Sequence, residues 1–241
     1  MLTEDFLRHR RREQLSDEEL AALDAIMSPP ARIPKRTTII RAGETTDRST
    51  FLLQGFMCRF LDGANGHRQI LSIETSGDFV DLHGYPMKRL DHDIATIGDC
   101  EVSYAQHGKL TALIERYPTL GRMLWFSTLV DAAMHREWIF RLGRLDAEGR
   151  IAHLICETYA RLDAVGLVDN GAFEWPLTQQ EIGEACSLTS VHVNRTLRTL
   201  REIGLVEIAR QRVRVLDLAK LARLAEFTPD YLYLDNHDRT P

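Results

Sequence analysis

The stretch LTQQEIGEACSLTSVHVNRTLRTLREIGLV, Leu177 to Val206, decides how the rest of the chain is read. It opens on a capping pair: the Thr178 hydroxyl caps a helix while Glu181, three residues on, reaches back to the cap amide. Ile182 and Ala185 supply an inward face. Cys186, Ser187 and Leu188 form a short turn, and Thr189 is placed to cap a second helix. On that helix Val193, Leu197 and Leu200 recur at i, i+4 and i+7 and share one face. At about 100° per residue, Val191, Arg195 and Arg198 project from the opposite side, flanked by His192 and Asn194. Two helices joined this tightly must cross steeply, so the pattern predicts a helix-turn-helix with a basic outward face.

Such a face suits nucleic acid. An arginine on the first turns of the second helix reaches guanine O6 and N7 with two donors, or grips a phosphate. Ser190 sits at the helix start, where its hydroxyl and the free backbone N–H groups meet a phosphate oxygen, and Gln179 has the same place on the first helix. Beyond Gly204, the run from Glu207 to Leu216 alternates Val213 and Val215 with Arg212 and Arg214, which predicts a two-stranded wing with a basic face. The DNA-facing set expected from sequence is Gln179, Thr189, Ser190, Val191, His192, Asn194, Arg195, Arg198 and Arg212. The formal net charge of the whole chain is -5, but from Arg195 to Arg223 eight basic residues face three acidic ones. Local charge, not the total, makes the footprint on phosphates.

Working outward, Asp146 is a good N-cap, and Ile151, Leu154, Ile155, Thr158 and Leu162 begin a fresh helical stripe after a break near Gly143 to Glu148. Upstream, from Pro118, a long helix is predicted. Leu120, Leu124, Ser127, Val130, Met134 and Trp138 line one face. A second stripe through Trp125, Leu129, Ala132, Arg136 and Ile139 exceeds what one buried face requires and predicts a partner helix. Between Ile33 and Ala105 the texture is different: short β-branched and aromatic runs (Thr37 to Ile40, Phe51 to Leu53, Ile70 to Ile73) punctuated by glycines predict an antiparallel sandwich or barrel. Before it, Ser16 and Glu19 form another capping box opening a helix that carries Leu20, Leu23 and Ile26 inward, ended by Pro29 and Pro30. The basic run Arg8 to Arg12 reads as a solvated terminal segment. The expected domains are 1–117, an N-terminal helix and β-domain; 118–145, the long helix and hinge; and 146–241, the helix-turn-helix domain.

The 241 residues, 44% hydrophobic and 27% charged, describe a folded globular protein of one or two domains. Cys58, Cys100, Cys156 and Cys186 are widely spaced with no C-x-x-C pair, which disfavours a zinc knuckle or iron-sulfur cluster and suggests reduced thiols in a cytoplasm. No apolar run is long enough to span a bilayer, so no membrane partner is expected.

With these parts in this order, the chain resembles the CRP/FNR superfamily of bacterial transcription regulators over nearly its full length. The most specific stretches are LGRLDAEGRIAHLI, Leu142 to Ile155, and the opening segment. The resemblance implies an α+β fold with a β-roll of the cyclic-nucleotide-binding type, a long dimerisation helix and a C-terminal winged helix-turn-helix. It implies a homodimer through the long helix on palindromic double-stranded DNA, with RNA polymerase as a further partner if the protein is an activator. Val191 departs from the pattern: many relatives place there a glutamate that accepts from cytosine, and valine offers only contact with a thymine methyl.

In cyclic-nucleotide-binding relatives a Gly-Glu pair holds the ribose and an Arg-Ser or Arg-Thr pair the phosphate. Here Asp81, Leu82 and His83 stand near the first position and Leu90, Asp91 and His92 near the second. A carboxylate at Asp91 repels phosphate, and Arg89 is the only local cation that offsets it. Asp81, His83, Asp91, His92 and Asp93 are of metal-ligating types, yet read better as surface turns. Haem through His67, His83, His92 or His107 stays open with no ligand assigned, so no cofactor is identified. The alternatives to a DNA-binding regulator are a metal-dependent cupin-like enzyme and a ligand sensor acting on protein partners. The first needs an H-x-H pair, where the nearest string is Asp91, His92, Asp93, and no paired-carboxylate or Ser-His-Asp set stands out, so no enzyme is expected.

Overall fold

A computed structural model describes residues 1–64 and 66–235. The chain divides into two compact units, one of residues 1–60 and 73–132 with Leu234 and Asp235, the other of residues 61–72 and 133–233.

In the first unit, helix α1 (Asp17–Ile26) begins with the reciprocal Ser16–Glu19 cap and buries Leu20 and Leu23. Strands β1 (Ala31–Ile33), β2 (Thr38–Ile40), β3 (Arg48–Gln54), β4 (Phe56–Asp62), β5 (Arg68–Thr75), β6 (Asp93–Thr96) and β7 (Cys100–Gln106) form two sheets, ordered β1-β7-β3 and β2-β6-β4-β5. The registered pairs, β1 with β7, β2 with β6, β3 with β7 and β4 with β6, are antiparallel and join strands far apart in the chain. Between β3 and β4 the chain turns at Gly55, whose φ is +103°; a Cβ there would lie 2.7 Å from the Asp99 carbonyl oxygen, so glycine is required. Leu52, Met57, Val80, Leu90, Ile94 and Val102 fill the β-domain. A short helix α2 (Gly84–Met87) interrupts the strands, and α3 (His107–Arg116) follows them.

The basic N-terminal run is not simply solvated. Phe6 and Leu7 are buried, Arg12 Nη1 donates to the carbonyls of Thr3 and Phe6, and the Arg11 guanidinium lies 5.0 Å over the Phe126 ring. Two isolated apolar residues carry no periodicity, so sequence pattern misses an anchor of this kind.

Helix α4 (Pro118–Arg144) runs from one unit into the other. Proline at its first position costs no hydrogen bond and has φ preset for the helix. Leu120, Leu124, Val130, Met134 and Trp138 are buried, whereas Trp125 (65% exposed), Leu129, Ile139 (73% exposed) and Phe140 are not. The predicted second stripe is thus an uncovered apolar face.

The second unit follows with α5 (Ala147–Ala164), capped by Asp146, which accepts from the Gly149 amide at 2.9 Å. Then come β8 (Ala172–Glu174), α6 (Gln179–Cys186), α7 (Ser190–Glu202), β9 (Val206–Ala209), β10 (Arg212–Val215) and α8 (Leu218–Leu224). The expected two-stranded wing is a three-stranded sheet, order β8-β10-β9. Three residues are too few to display alternation, which is why β8 escaped the sequence reading. Arg210 and Gln211, both with positive φ, make the turn between β9 and β10. Ile151, Leu154, Ile155, Thr158 and Leu162 are all buried.

Candidate nucleic-acid interface

The helix-turn-helix is built by its caps. Thr178 Oγ1 accepts from the Glu181 amide while Glu181 Oε2 accepts from the Thr178 amide at 2.7 Å. Helix α6 stops because Ser187 adopts a left-handed conformation, and the Leu188 amide folds back on the Gly183 carbonyl at 2.9 Å. Gly183 permits the crossing: a Cβ on it would stand 2.5 Å from the Leu188 carbonyl oxygen. Thr189 Oγ1 then caps α7 by accepting from the His192 amide. Val193, Thr196, Leu197 and Leu200 are buried beneath α7.

Every residue expected to face DNA lies on an accessible surface of this unit. Gln179, Thr189, Ser190, Asn194, Arg195, Arg198 and Arg212 are exposed, Val191 is 82% exposed, and His192 is half-buried. Seven of them, from Thr189 to Arg198, ride on α7 or its cap; Gln179 starts α6 and Arg212 starts β10. Arg195 Nη2 lies 3.3 Å from His192 Nε2, and Arg198 Nε donates to Glu202 at 2.7 Å. Arg212 and Arg214 both point outward from β10 while Val213 between them is buried.

Two further arginines hold this element in place, and sequence reading passed over both. Arg150 Nη1 donates to the Cys186 carbonyl and its Nε to the Leu145 carbonyl. Arg141, fully buried, donates Nη2 to the Ala185 carbonyl and stacks 3.7 Å over the Trp138 ring. Both satisfy carbonyls that the end of α6 leaves without helical partners. The signal was present: Arg141 falls three residues after Trp138 on the buried stripe. Beside them, Glu157 is buried and accepts from Trp138 Nε1 at 2.9 Å and Tyr231 OH at 2.7 Å. Burial alone would raise its pKa, but Arg161, His153 and Arg141, with the Tyr231 hydroxyl, outweigh it and hold the carboxyl below its ordinary range.

The His/Asp cluster of the β-domain is not a set of surface turns. Asp81 is fully buried, accepting from the Thr50 amide and, at 2.9 Å, from Thr50 Oγ1. Burial pushes its carboxyl up to about 7 against the pull of those donors. His92 is buried, its Nδ1 2.8 Å from the exposed Asp91 carboxylate, and its ring lies 5.2 Å from that of His83. Burial, then the Arg59 cation, drives His83 down to about 3, and burial likewise lowers His92. Asp93 accepts from the Ala42 amide instead. Among the described residues no three His, Cys, Asp or Glu side chains are arranged to hold a metal ion. Arg89 is exposed, and the cation of this region is Arg59, which sequence reading missed because it sits in the middle of the apolar run of β4. Only 2% exposed, Arg59 donates Nε to the Val80 carbonyl and Nη1 to both oxygens of Asp131 at 2.7 and 2.6 Å, with Glu74 at 3.5 Å. Desolvation works against its charge, but Asp131 and Glu74 prevail and strengthen it. Among the described residues no helix is long and apolar enough to cross a membrane, and the four cysteines are buried thiols outside any disulfide.

Comparison with known proteins agrees with this geometry. Residues 30–117 match the cyclic nucleotide-binding domain family, and residues 149–224 match the Crp-like helix-turn-helix domain family. A probable transcriptional activator of Rhizobium leguminosarum bv. viciae is 31% identical over 195 residues, 77% of each chain. The transcriptional activator protein FnrA of Stutzerimonas stutzeri is 26% identical over 216 residues, 88% of this chain and 86% of its own. Among solved structures, FixK2 from Bradyrhizobium japonicum superimposes with a TM-score of 0.74 at 21% identity, over 81% of this chain and 96% of that one, a likeness of fold.

Proposed function

The chain belongs to the CRP/FNR family of transcription regulators, and we propose that it acts as a homodimer on a palindromic operator, each α7 lying in the major groove of one half-site. The observation that carries this reading is the two-sidedness of α7: Val193, Leu197 and Leu200 are buried, while Val191, Asn194, Arg195 and Arg198 stand free of the fold. In this arrangement Arg195 reads a base edge, Val191 meets a thymine methyl, and Ser190, Thr189 and Gln179 hold phosphates. Arg198, His192 and Asn194 flank the groove contact, and Arg212 brings the wing to the backbone.

The uncovered stripe of α4, Trp125, Leu129, Ile139 and Phe140, supports dimerisation, since large exposed aromatic and aliphatic side chains gathered on one helix mark an interface. Two-fold symmetry in the protein requires it in the DNA, with half-site centres about 34–36 Å apart. Residues 1–117 then act as a sensory domain, 118–145 as dimerisation helix and hinge, and 146–241 as the DNA-binding domain. The effector of the sensory domain is not a cyclic nucleotide in this reading, because Asp81, Leu82 and His83 stand near the position of the Gly-Glu pair, and Leu90, Asp91 and His92 near that of the Arg-Ser or Arg-Thr pair. RNA polymerase in the cytoplasm is the further partner of an activator.

Selection of duplexes from a random pool by the full-length protein tests the function. A two-fold related consensus, bound by a dimer in sedimentation, is expected. An asymmetric consensus bound by a monomer, or no consensus, would overturn it. Leu129→Glu on the uncovered stripe is expected to yield monomers with weakened operator binding.

A further inference from the structure

Arginine carries five donors on a long side chain with about 2 kcal/mol of rotamer entropy. A single base contact from it discriminates well only if the side chain is already held in place. On α7 something does hold it. Residues three apart on a helix are neighbours, and Arg195 Nη2 is 3.3 Å from His192 Nε2. A guanidinium can only donate, so the imidazole nitrogen facing it must be the acceptor, which places the ring proton on Nδ1. The pair borders a recess of about 240 Å³ shared with Thr196 and Thr199 of α7 and with Asp146 and Glu148 from the start of α5. Asp146 already accepts from the Gly149 amide as the cap of α5. The histidine is half-buried, while Arg195, Asn194 and Val191 are exposed.

We propose that His192 is a positioning residue, not a base reader: its Nε2 accepts from Arg195 Nη2 and holds the guanidinium so that the remaining donors meet one base pair. The inference rests on Arg195 reading a base, as proposed above. It assigns the specificity of that base pair to two residues acting as a unit, of which only one touches DNA.

The test uses full-length protein and the duplex selected by the unaltered chain, with each base pair of one half-site replaced in turn. Arg195→Ala is expected to abolish discrimination at one base pair. His192→Ala should weaken discrimination at that same pair by about two- to tenfold, the worth of one hydrogen bond, and at no other. His192→Gln, whose side-chain oxygen accepts from the same donor, should restore it. On the Arg195→Ala background, His192→Ala should add nothing. Relaxation at a different base pair, additive effects, or failure of Gln to rescue would overturn the positioning role while leaving Arg195 as a reader. Full discrimination by Arg195→Ala would instead overturn the reading of Arg195, and the role of His192 with it. Unchanged helicity and melting of both His192 variants keep either result separate from folding.

Discussion

Arg59 and Arg195 carry the same side chain to opposite ends. Arg59 is sealed inside the β-domain, its charge balanced by Asp131 and Glu74 and its Nε given to a backbone carbonyl. Arg195 stands on the exposed face of α7, its Nη2 3.3 Å from His192 Nε2. A buried charge must be compensated within the fold, so its loss is felt as stability. An exposed charge that the fold does not neutralise is left for an external anion, so its loss is felt as binding. Asp131 lies on α4, which means that the compensated arginine also ties the β-domain to the long helix within the first unit.

The contrast can be broken most forcefully at Arg59. Arg59→Leu strands the Glu74 and Asp131 carboxylates and should cost about 3–5 kcal/mol of unfolding free energy, read by urea denaturation. A loss under 1 kcal/mol would mean that the pair is not structurally important. The neighbouring Asp81 sharpens the same side of the comparison through pH. Its folded carboxyl titrates at about 7, against about 3.9 in an unfolded chain. Between those values the folded state holds a proton that the unfolded state has released. The contribution of Asp81 is therefore complete below about pH 4 and is lost as pH rises towards 7, at up to about 1.4 kcal/mol per pH unit. Asp81→Asn should flatten that part of the stability profile, and an unaltered slope would show that another group sets it.

On the exposed side, Arg195→Ala should weaken specific DNA binding by about 1–3 kcal/mol, while unfolding free energy stays within about 0.5 kcal/mol of the unaltered protein. Isothermal binding and denaturation on the same samples compare the two. The smallest effect is expected at Arg198, already paired with Glu202 on the surface. Arg198→Ala should lower the slope of log affinity against log salt by about 1 if it meets a phosphate, and leave stability within the same margin. An unchanged slope would place it off the DNA.

The fold was legible wherever local rules act alone. The Ser16, Asp146, Thr178 and Thr189 caps appear as read, because a cap needs only the residues within one turn of it. So does the two-faced α4, since a helix displays its periodicity over many residues. The β8 strand and the N-terminal anchor of Phe6 were not legible, being too short to show a period. The outward set of α7 was recovered from spacing alone, but the contact of His192 with Arg195 was not, since it depends on which rotamers the helix surface allows.

What the amino-acid sequence determined by itself was the class of fold, the position of the helix-turn-helix and the identity of the side chains offered outward, because patterns of 2 and 3.6 residues and caps are local properties. What only the tertiary structure decided was which charges remain on offer. Arg59 and Arg141 look on paper as available as Arg195, and folding buries them against Asp131, Glu74 and the Ala185 carbonyl. The physical reason is that desolvation and partnering depend on residues far apart in the chain: 72 positions separate Arg59 from Asp131 and 44 separate Arg141 from Ala185.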